Sequence, residues 1–273
     1  MYENYQYSQK DDNLLTQYCQ IKNALTLAIF FKNKKLLRIR LQPETILKLN
    51  CMLVLFLIIT STLGQLYRYI GAGERHYQLV NLFYLSEEKN IPTAYSSLAL
   101  LFCSWLLFII AKHKIKKAQP YCFNWAFLSM LFLLMAIDES LTLHENLTAV
   151  MENFMNPDGF FYRAWIIPAT IFLVIFVCGN LKFIKSLSPK TRFLFVFAGI
   201  VFVSGAIGME MIGGKVFLIL DKSIDNLLYS AIATVEETLE MMGIVFFIYA
   251  LLDYIGNYCN FQKQERNLSI SFF

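Results

Sequence analysis

Charge is what this chain lacks first. Only 16% of its 273 residues are Asp, Glu, Lys or Arg, while 57% are hydrophobic and the mean hydropathy is +0.49. A soluble domain carries about 25% charged residues, so the composition places the chain in the membrane class. Histidine is scarce too. With His76, His113 and His144 alone available, a multi-histidine metal centre is excluded. No Glu-x-x-His occurs, which removes the ferritin-like di-iron pattern. His144-Glu145 is followed by Asn146, Leu147 and Thr148 with no second histidine, which removes the zinc-protease helix. The basic residues are scattered, with neither a basic domain nor an aromatic platform, so nucleic acid is not an expected partner.

What is present is length in apolar runs. Six of them reach the roughly 20 residues a helix needs to cross hydrocarbon: Leu47–Tyr67, Thr93–Ala111, Tyr121–Asn146, Ala164–Leu181, Phe193–Gly214 and Leu227–Leu252. No alternating strand pattern competes, and helices satisfy their own backbone groups, as lipid demands. The expected fold is all-α, a polytopic integral membrane bundle of six transmembrane helices. Residues 1–46 read as a basic arm, 47–252 as the transmembrane domain and 253–273 as a tail. Pro168 is expected to kink the fourth span. Trp105, Trp125 and Trp165 read as lipid-facing or interfacial residues.

Lys and Arg set the orientation. The arm up to Lys48 holds eight, the turn after the second span four, the turn after the fourth span four and the tail two, leaving six for the other loops. Both termini are therefore expected in the cytoplasm. The run Ala24–Phe31 is too short to span, and reads either as a helix lying on the inner leaflet or as an unstructured arm. The first 20 residues are polar and lack the core of a removable signal peptide. The six cysteines avoid the outer loops on this topology and lack metal-site spacing, so neither a disulfide framework nor a thiolate centre is expected. The apolar patch Leu79–Leu85 in the first outer loop can form a short covering helix, and Asn156-Pro157-Asp158-Gly159 is a turn signal in the second.

Seven carboxylates interrupt the apolar runs: Asp138, Glu139, Glu145, Glu210, Glu236, Glu237 and Glu240. No Lys or Arg shares those runs, the nearest being Lys215, just past a span end. An ionised group in hydrocarbon needs a partner or a water-filled cavity, so protons, a cation or cavity water must neutralise these acids. At about 1.5 Å per residue, the acids of the third, fifth and sixth spans fall between the outer boundary and just past the midplane. Asp138, Thr142 and Glu145 follow i, i+4, i+7 and share a stripe. Glu237, Glu240 and Met241 share a face that Ser230 and Thr234 continue outward. Asp138, Glu145, Glu210, Glu237 and Glu240 are expected to converge, with His144 as a nitrogen ligand or proton carrier. Oxygen donors with one imidazole suit a divalent cation such as Mn, Mg, Ca, Fe or Zn. The metal set would be Asp138, His144, Glu145, Glu210, Glu237 and Glu240, and Asp138, Glu237 and Glu240 the catalytic acids. A plainer reading stands beside this one. Glu145 and His144 reach interfacial water, and Glu139 bonds a neighbouring helix.

Glu88-Lys89-Asn90-Ile91-Pro92-Thr93 with Ser96-Ser97, Asp138-Glu139 with His144-Glu145, and Glu236-Glu237-Thr238-Leu239-Glu240-Met241-Met242-Gly243 carry a resemblance. Together they resemble an uncharacterised group of bacterial multi-pass membrane proteins with Asn-(Ile/Leu)-Pro-Thr, Asp-Glu…His-Glu and Glu-Glu-x-x-Glu-Met segments. The likeness covers roughly Phe83 to Tyr254. It implies a bacterial inner-membrane location and adds Glu87, Glu88 and Asn90 as outer-side members of the site or as helix caps. It brings no activity.

Three functions remain in view. The first is a metal-dependent membrane hydrolase or transferase acting on a lipid or lipid-linked substrate. The others are a cation- or proton-coupled transporter and a non-catalytic scaffold holding a structural cation. Membrane lipids are the expected partners.

Overall fold

The computed structural model describes residues 42–70, 77–152, 154, 157–221 and 226–270, with side chains of the last helix described to Asn257. The expected surface helix Ala24–Phe31, the loop residues Gly71–Arg75, and Asn156 of the expected turn lie outside the described residues, as do the side chains of Cys19 and Cys259. The described residues are helical, without a strand.

Helix α1 is Pro43–Tyr69, α2 Tyr77–Asn81, α3 Ile91–Lys116, α4 Cys122–Leu141, α5 Leu143–Glu152 and α6 Ile166–Ser186. The fifth span is α7 (Pro189–Val203), a π-helical turn (Ser204–Met209) and α8 (Glu210–Ile219), and α9 runs from Leu227 to Ile270. Six of these stretches are long and apolar enough to cross a membrane. Their starts follow ordinary helix chemistry. Pro43, Pro92 and Pro189 sit in first turns, where a missing N–H costs nothing, and the Ser188 hydroxyl caps Thr191 N.

Two helices form the centre. Half of the apolar window of α3 and of α9 is buried, against 17 to 22% in the other spans. The outer faces of α1, α6 and α7 are correspondingly left to lipid. The chain's basic clusters (Lys112–Lys117, Lys182, Lys185, Lys190 and Arg192) gather at the end where the described chain begins. That end, the basic end, is filled with aromatic packing. Trp125 is 1% exposed, stacks on Tyr254 with centroids 4.8 Å apart, and meets Phe183 and Phe195 edge-on. Phe132 stacks on Phe247 at 4.7 Å. Trp125 is thus a core residue rather than a lipid-facing one. Between α3 and α4 the Ser104 and Ser129 hydroxyls donate to each other's carbonyl oxygens, at 2.7 and 2.9 Å. Such exchanged bonds satisfy hydroxyls that lipid cannot.

Several expectations change here. Pro168 is the third residue of α6 and leaves that helix unbroken, because in the first turn it displaces no hydrogen bond. The third span does not run on to Asn146. It stops at Thr142, which takes a left-handed conformation with φ of +53°. The fifth span continues past Gly214 to Ile219, so Lys215 lies within a helix, its ammonium 4.2 Å from the centre of the Phe160 ring. Helix α9 continues past Leu252. The patch Leu79–Leu85 is helical only to Asn81; beyond it Tyr84 and Leu85 turn inward. The Tyr84 hydroxyl pairs with the Ser230 hydroxyl at 2.9 Å, and Leu85 N donates to the Ser61 hydroxyl at 3.0 Å. These bonds tie the first loop to α1 and α9. Cys51, Cys103, Cys122 and Cys178 are free thiols.

Candidate acidic site

The left-handed turn at Thr142 builds the first part of the site. It swings the start of α5 back over the end of α4. Asp138 Oδ1 then accepts the His144 main-chain N–H at 2.9 Å, and Asp138 Oδ2 lies 3.0 Å from His144 Nδ1. The expected stripe of Asp138, Thr142 and Glu145 does not exist, because the helix that would carry it is broken. Thr142 is buried, Glu145 is exposed, and Asp138 meets His144 instead. Burial opposes charge on the His144 ring. The Asp138 hydrogen bond and charge, helped by Glu88 and Glu210, outweigh it and carry His144 up to about 9. At neutral pH the ring is an imidazolium whose Nδ1–H faces Asp138.

The second part comes from span five and α9. Glu236 lies within side-chain reach of Glu210. Glu237 and Glu240 lie within electrostatic reach of each other, of Glu139 on α4 and of Glu88 in the first loop. Glu139, Glu236, Glu237 and Glu240 are all half-buried. The α9 stripe expected to continue outward is occupied: Ser230 by Tyr84, and Thr234 by an amide hydrogen of Gln65 at 3.1 Å. Met241 is fully buried against α1 and the first loop.

The π-helical turn lies immediately before Glu210. Such turns concentrate at functional sites. Gly205, within it, packs so closely on α9 that a Cβ would stand 2.7 Å from Glu236 O and 2.9 Å from Glu240 Cγ. Gly243 answers from α9, with its Cβ position 2.7 Å from the Phe202 backbone. Small residues at this crossing let two helices bring their acids together.

A basic partner exists where none was expected. Arg163, from the second loop, places Nε 3.5 Å from Glu210 Oε1, and a terminal nitrogen donates to the Tyr229 hydroxyl at 3.2 Å. Trp165 Nε1 donates to the same Glu210 oxygen at 3.4 Å, and its ring centre lies 5.2 Å from that of His144. Trp165 is therefore a site residue. Arg163, Trp165 and Tyr229 escaped the sequence reading because they sit at span ends, where Arg and aromatics are commonplace. Arg163 stood directly before an apolar run, and that adjacency was the available signal.

The Asn-Ile-Pro-Thr segment is a cap. Asn90 Nδ2 lies 2.6 to 3.2 Å from the carbonyl oxygens of Asn81, Tyr84 and Glu87, and Asn90 Oδ1 accepts Thr93 N and the Thr93 hydroxyl, both at 3.1 Å. One side chain thus folds the loop and starts α3. It also fixes Glu88, whose Oε2 is 3.5 Å from the Thr93 hydroxyl. Burial raises the Glu88 carboxyl above the ordinary range, with Glu145 and Asp138 adding to the rise and His144 opposing it.

Seven acids (Glu88, Asp138, Glu139, Glu210, Glu236, Glu237 and Glu240) thus stand beside two cations, His144 and Arg163. Among the described residues, no three His, Cys, Asp or Glu side chains converge closely enough to hold a metal ion. The acids are arranged as the pairs Asp138–His144 and Glu210–Glu236, with Glu139, Glu237 and Glu240 between them.

Six apolar helices around a central acidic cluster define a multi-pass membrane protein. Residues 51–254 match the family described as Domain of unknown function (DUF8692), and the chain belongs to that family. No curated protein and no solved structure is significantly similar to it.

Proposed function

We propose that this chain is an acid–base enzyme of the bacterial inner membrane, a hydrolase or transferase acting on a lipid or lipid-linked substrate from the outer leaflet. Both termini are cytoplasmic, following the Lys and Arg distribution, so the acidic site faces outward. The observation that carries the reading is the Asp138–His144 pair. The helix break at Thr142 engages both carboxylate oxygens with one histidine, beside an excess of acids. Asp138 fixes the ring through Nδ1 and leaves Nε2–H as the remaining donor. Water or an acceptor hydroxyl attacks directly, forming its bond to the substrate as the bond to the departing oxygen breaks. His144 gives its proton to that departing oxygen, and the neutral imidazole takes the proton that the attacking oxygen releases, which restores its charge. Glu139, Glu237 and Glu240 stand between this pair and Glu210–Glu236 and add negative charge around the reacting groups.

The basic half of the bundle favours an enzyme over a transporter. Trp125, Phe183, Phe195 and Phe247 close it with packed rings, and an ion path would need polar groups there. The test is lipid turnover by mass spectrometry, with purified protein in nanodiscs of bacterial phospholipid and parallel metal analysis. Turnover that falls at least about 100-fold in both His144→Ala and Asp138→Asn supports the proposal. Turnover unchanged in either variant overturns it, and metal bound without turnover turns the reading to a structural cation.

A further inference from the structure

Helices α4 and α6 leave a groove of about 380 Å³ between them, on the lipid-facing side and away from the acidic site. Its walls are Phe123, Phe127, Phe172, Ile175 and Phe176. Phe123 is 81% exposed and Ile175 66%. Asn124 and Asn180 form the polar part of the groove. Asn124 Nδ2 donates to Asn180 Oδ1 at 3.0 Å, and Asn180 Nδ2 donates to Phe176 O at 2.9 Å. Gly179 borders the groove too, and a Cβ there would meet nothing within 4 Å.

We propose that this groove binds an anionic phospholipid, with an acyl chain between the Phe side chains and the phosphate on Lys182. Three observations select that occupant. Helices that pair inside membranes do so through small residues that bring backbones close. This groove is walled by Phe and Ile, which suits a thin flexible chain and not a second helix. Next, Ile175, Gly179 and Lys182 follow i, i+4, i+7 and share one stripe of α6, so the groove leads to an exposed ammonium at the basic end. Lys185 and the Lys112–Lys117 cluster stand at that same end, where anionic head groups gather around basic side chains. Finally, Asn124 spends one of its two amide hydrogens on Asn180. It lies two residues into α4, at the depth where a lipid's ester carbonyl can accept the other. An amide pair is expensive in bare hydrocarbon, and an ester oxygen beside it offsets that cost. Chain, ester and phosphate therefore meet apolar wall, amide and ammonium in the order in which a phospholipid presents them. This site is separate from the acidic cluster and does not depend on the enzyme reading.

The test is native mass spectrometry of full-length protein in detergent, titrated with phosphatidylglycerol or with phosphatidylcholine of the same chains. The wild type is expected to retain phosphatidylglycerol preferentially. Gly179→Leu fills the groove and should weaken phosphatidylglycerol binding at least about tenfold, whereas Gly199→Leu, equally open but on α7, should leave it unchanged. Lys182→Glu should remove the preference between the two lipids while the chain still binds. The proposal is overturned if Gly179→Leu binds as the wild type does, or if the wild type takes both lipids equally. A preference that survives Lys182→Glu also overturns it. The Lys182 variant lies on an exposed surface and folds independently of the groove, so a Gly179→Leu protein that failed to fold would still leave a deciding measurement.

Discussion

His144 bonds Asp138 twice, through its main-chain N–H at 2.9 Å and its ring Nδ1 at 3.0 Å. The contact is possible only because Thr142 reverses the chain between them. It also sets a pH dependence. The His144 pKa rises from an ordinary 6.5 to about 9 in the folded protein. The stabilisation is therefore complete below pH 6.5 and is lost as pH climbs through about 9. The melting temperature of the wild type should exceed that of His144→Gln by a constant margin in mild acid. The margin should shrink across that window. A margin that stays constant to about pH 10 would contradict the ionised pair.

Arg163 and Glu210 make the second testable pair. Both are half-buried, so removing one partner strands the other's charge. Arg163→Met and Glu210→Gln should each destabilise by about 1–3 kcal/mol, less than a fully buried pair because water still screens them. The double variant should cost less than the two single costs added together, by about 0.5–3 kcal/mol. Additive costs in a thermal-unfolding cycle would show that the 3.5 Å contact carries no coupling.

The existence of six helices was legible because hydrocarbon thickness and backbone satisfaction leave few alternatives, and runs such as Leu47–Tyr67 needed no partner to be recognised. The convergence of acids on the third, fifth and sixth spans was legible in part, from depth along each helix. The Asp138–His144 contact was not. Periodicity assumes an unbroken helix, and no glycine, proline or asparagine marks Thr142 as a left-handed residue. Arg163 was hidden for another reason: a loop residue's reach depends on how the loop folds, and local pattern carries no such information. Trp125 shows the converse limit, since burial of an aromatic near a span end depends on what the neighbouring helices bring to it.

Gly205 should tolerate no side chain. Gly205→Ala places a methyl group 2.7 Å from Glu236 O, a backbone atom that cannot swing aside, and should destabilise by about 1–3 kcal/mol. Gly199→Ala is the matched comparison. It lies in the same span with nothing near its Cβ position, and there alanine should be neutral or stabilising by up to about 1 kcal/mol. The two melting temperatures in one detergent decide the matter. If Gly205→Ala melts with the wild type, the close crossing at the π-helical turn is wrong.

Asn90 separates donor from acceptor in the loop that fixes Glu88. Its amide hydrogens hold the carbonyls of Asn81, Tyr84 and Glu87, while its oxygen caps α3 through Thr93. Asn90→Ala removes both functions and should cost about 2–3 kcal/mol, a lost cap added to stranded loop carbonyls. Asn90→Asp isolates the donors. A carboxylate still caps Thr93 N, and at a helix start it would ordinarily be neutral or better. Here it faces three carbonyl oxygens with no hydrogen to offer and brings a negative charge beside Glu88. Asn90→Asp should therefore lose nearly as much stability as Asn90→Ala and should regain part of it in mild acid, where the aspartate protonates and can donate once more. An Asn90→Asp protein that melts within a few tenths of a degree of the wild type would show that the cap alone matters and that the loop carbonyls are satisfied by water.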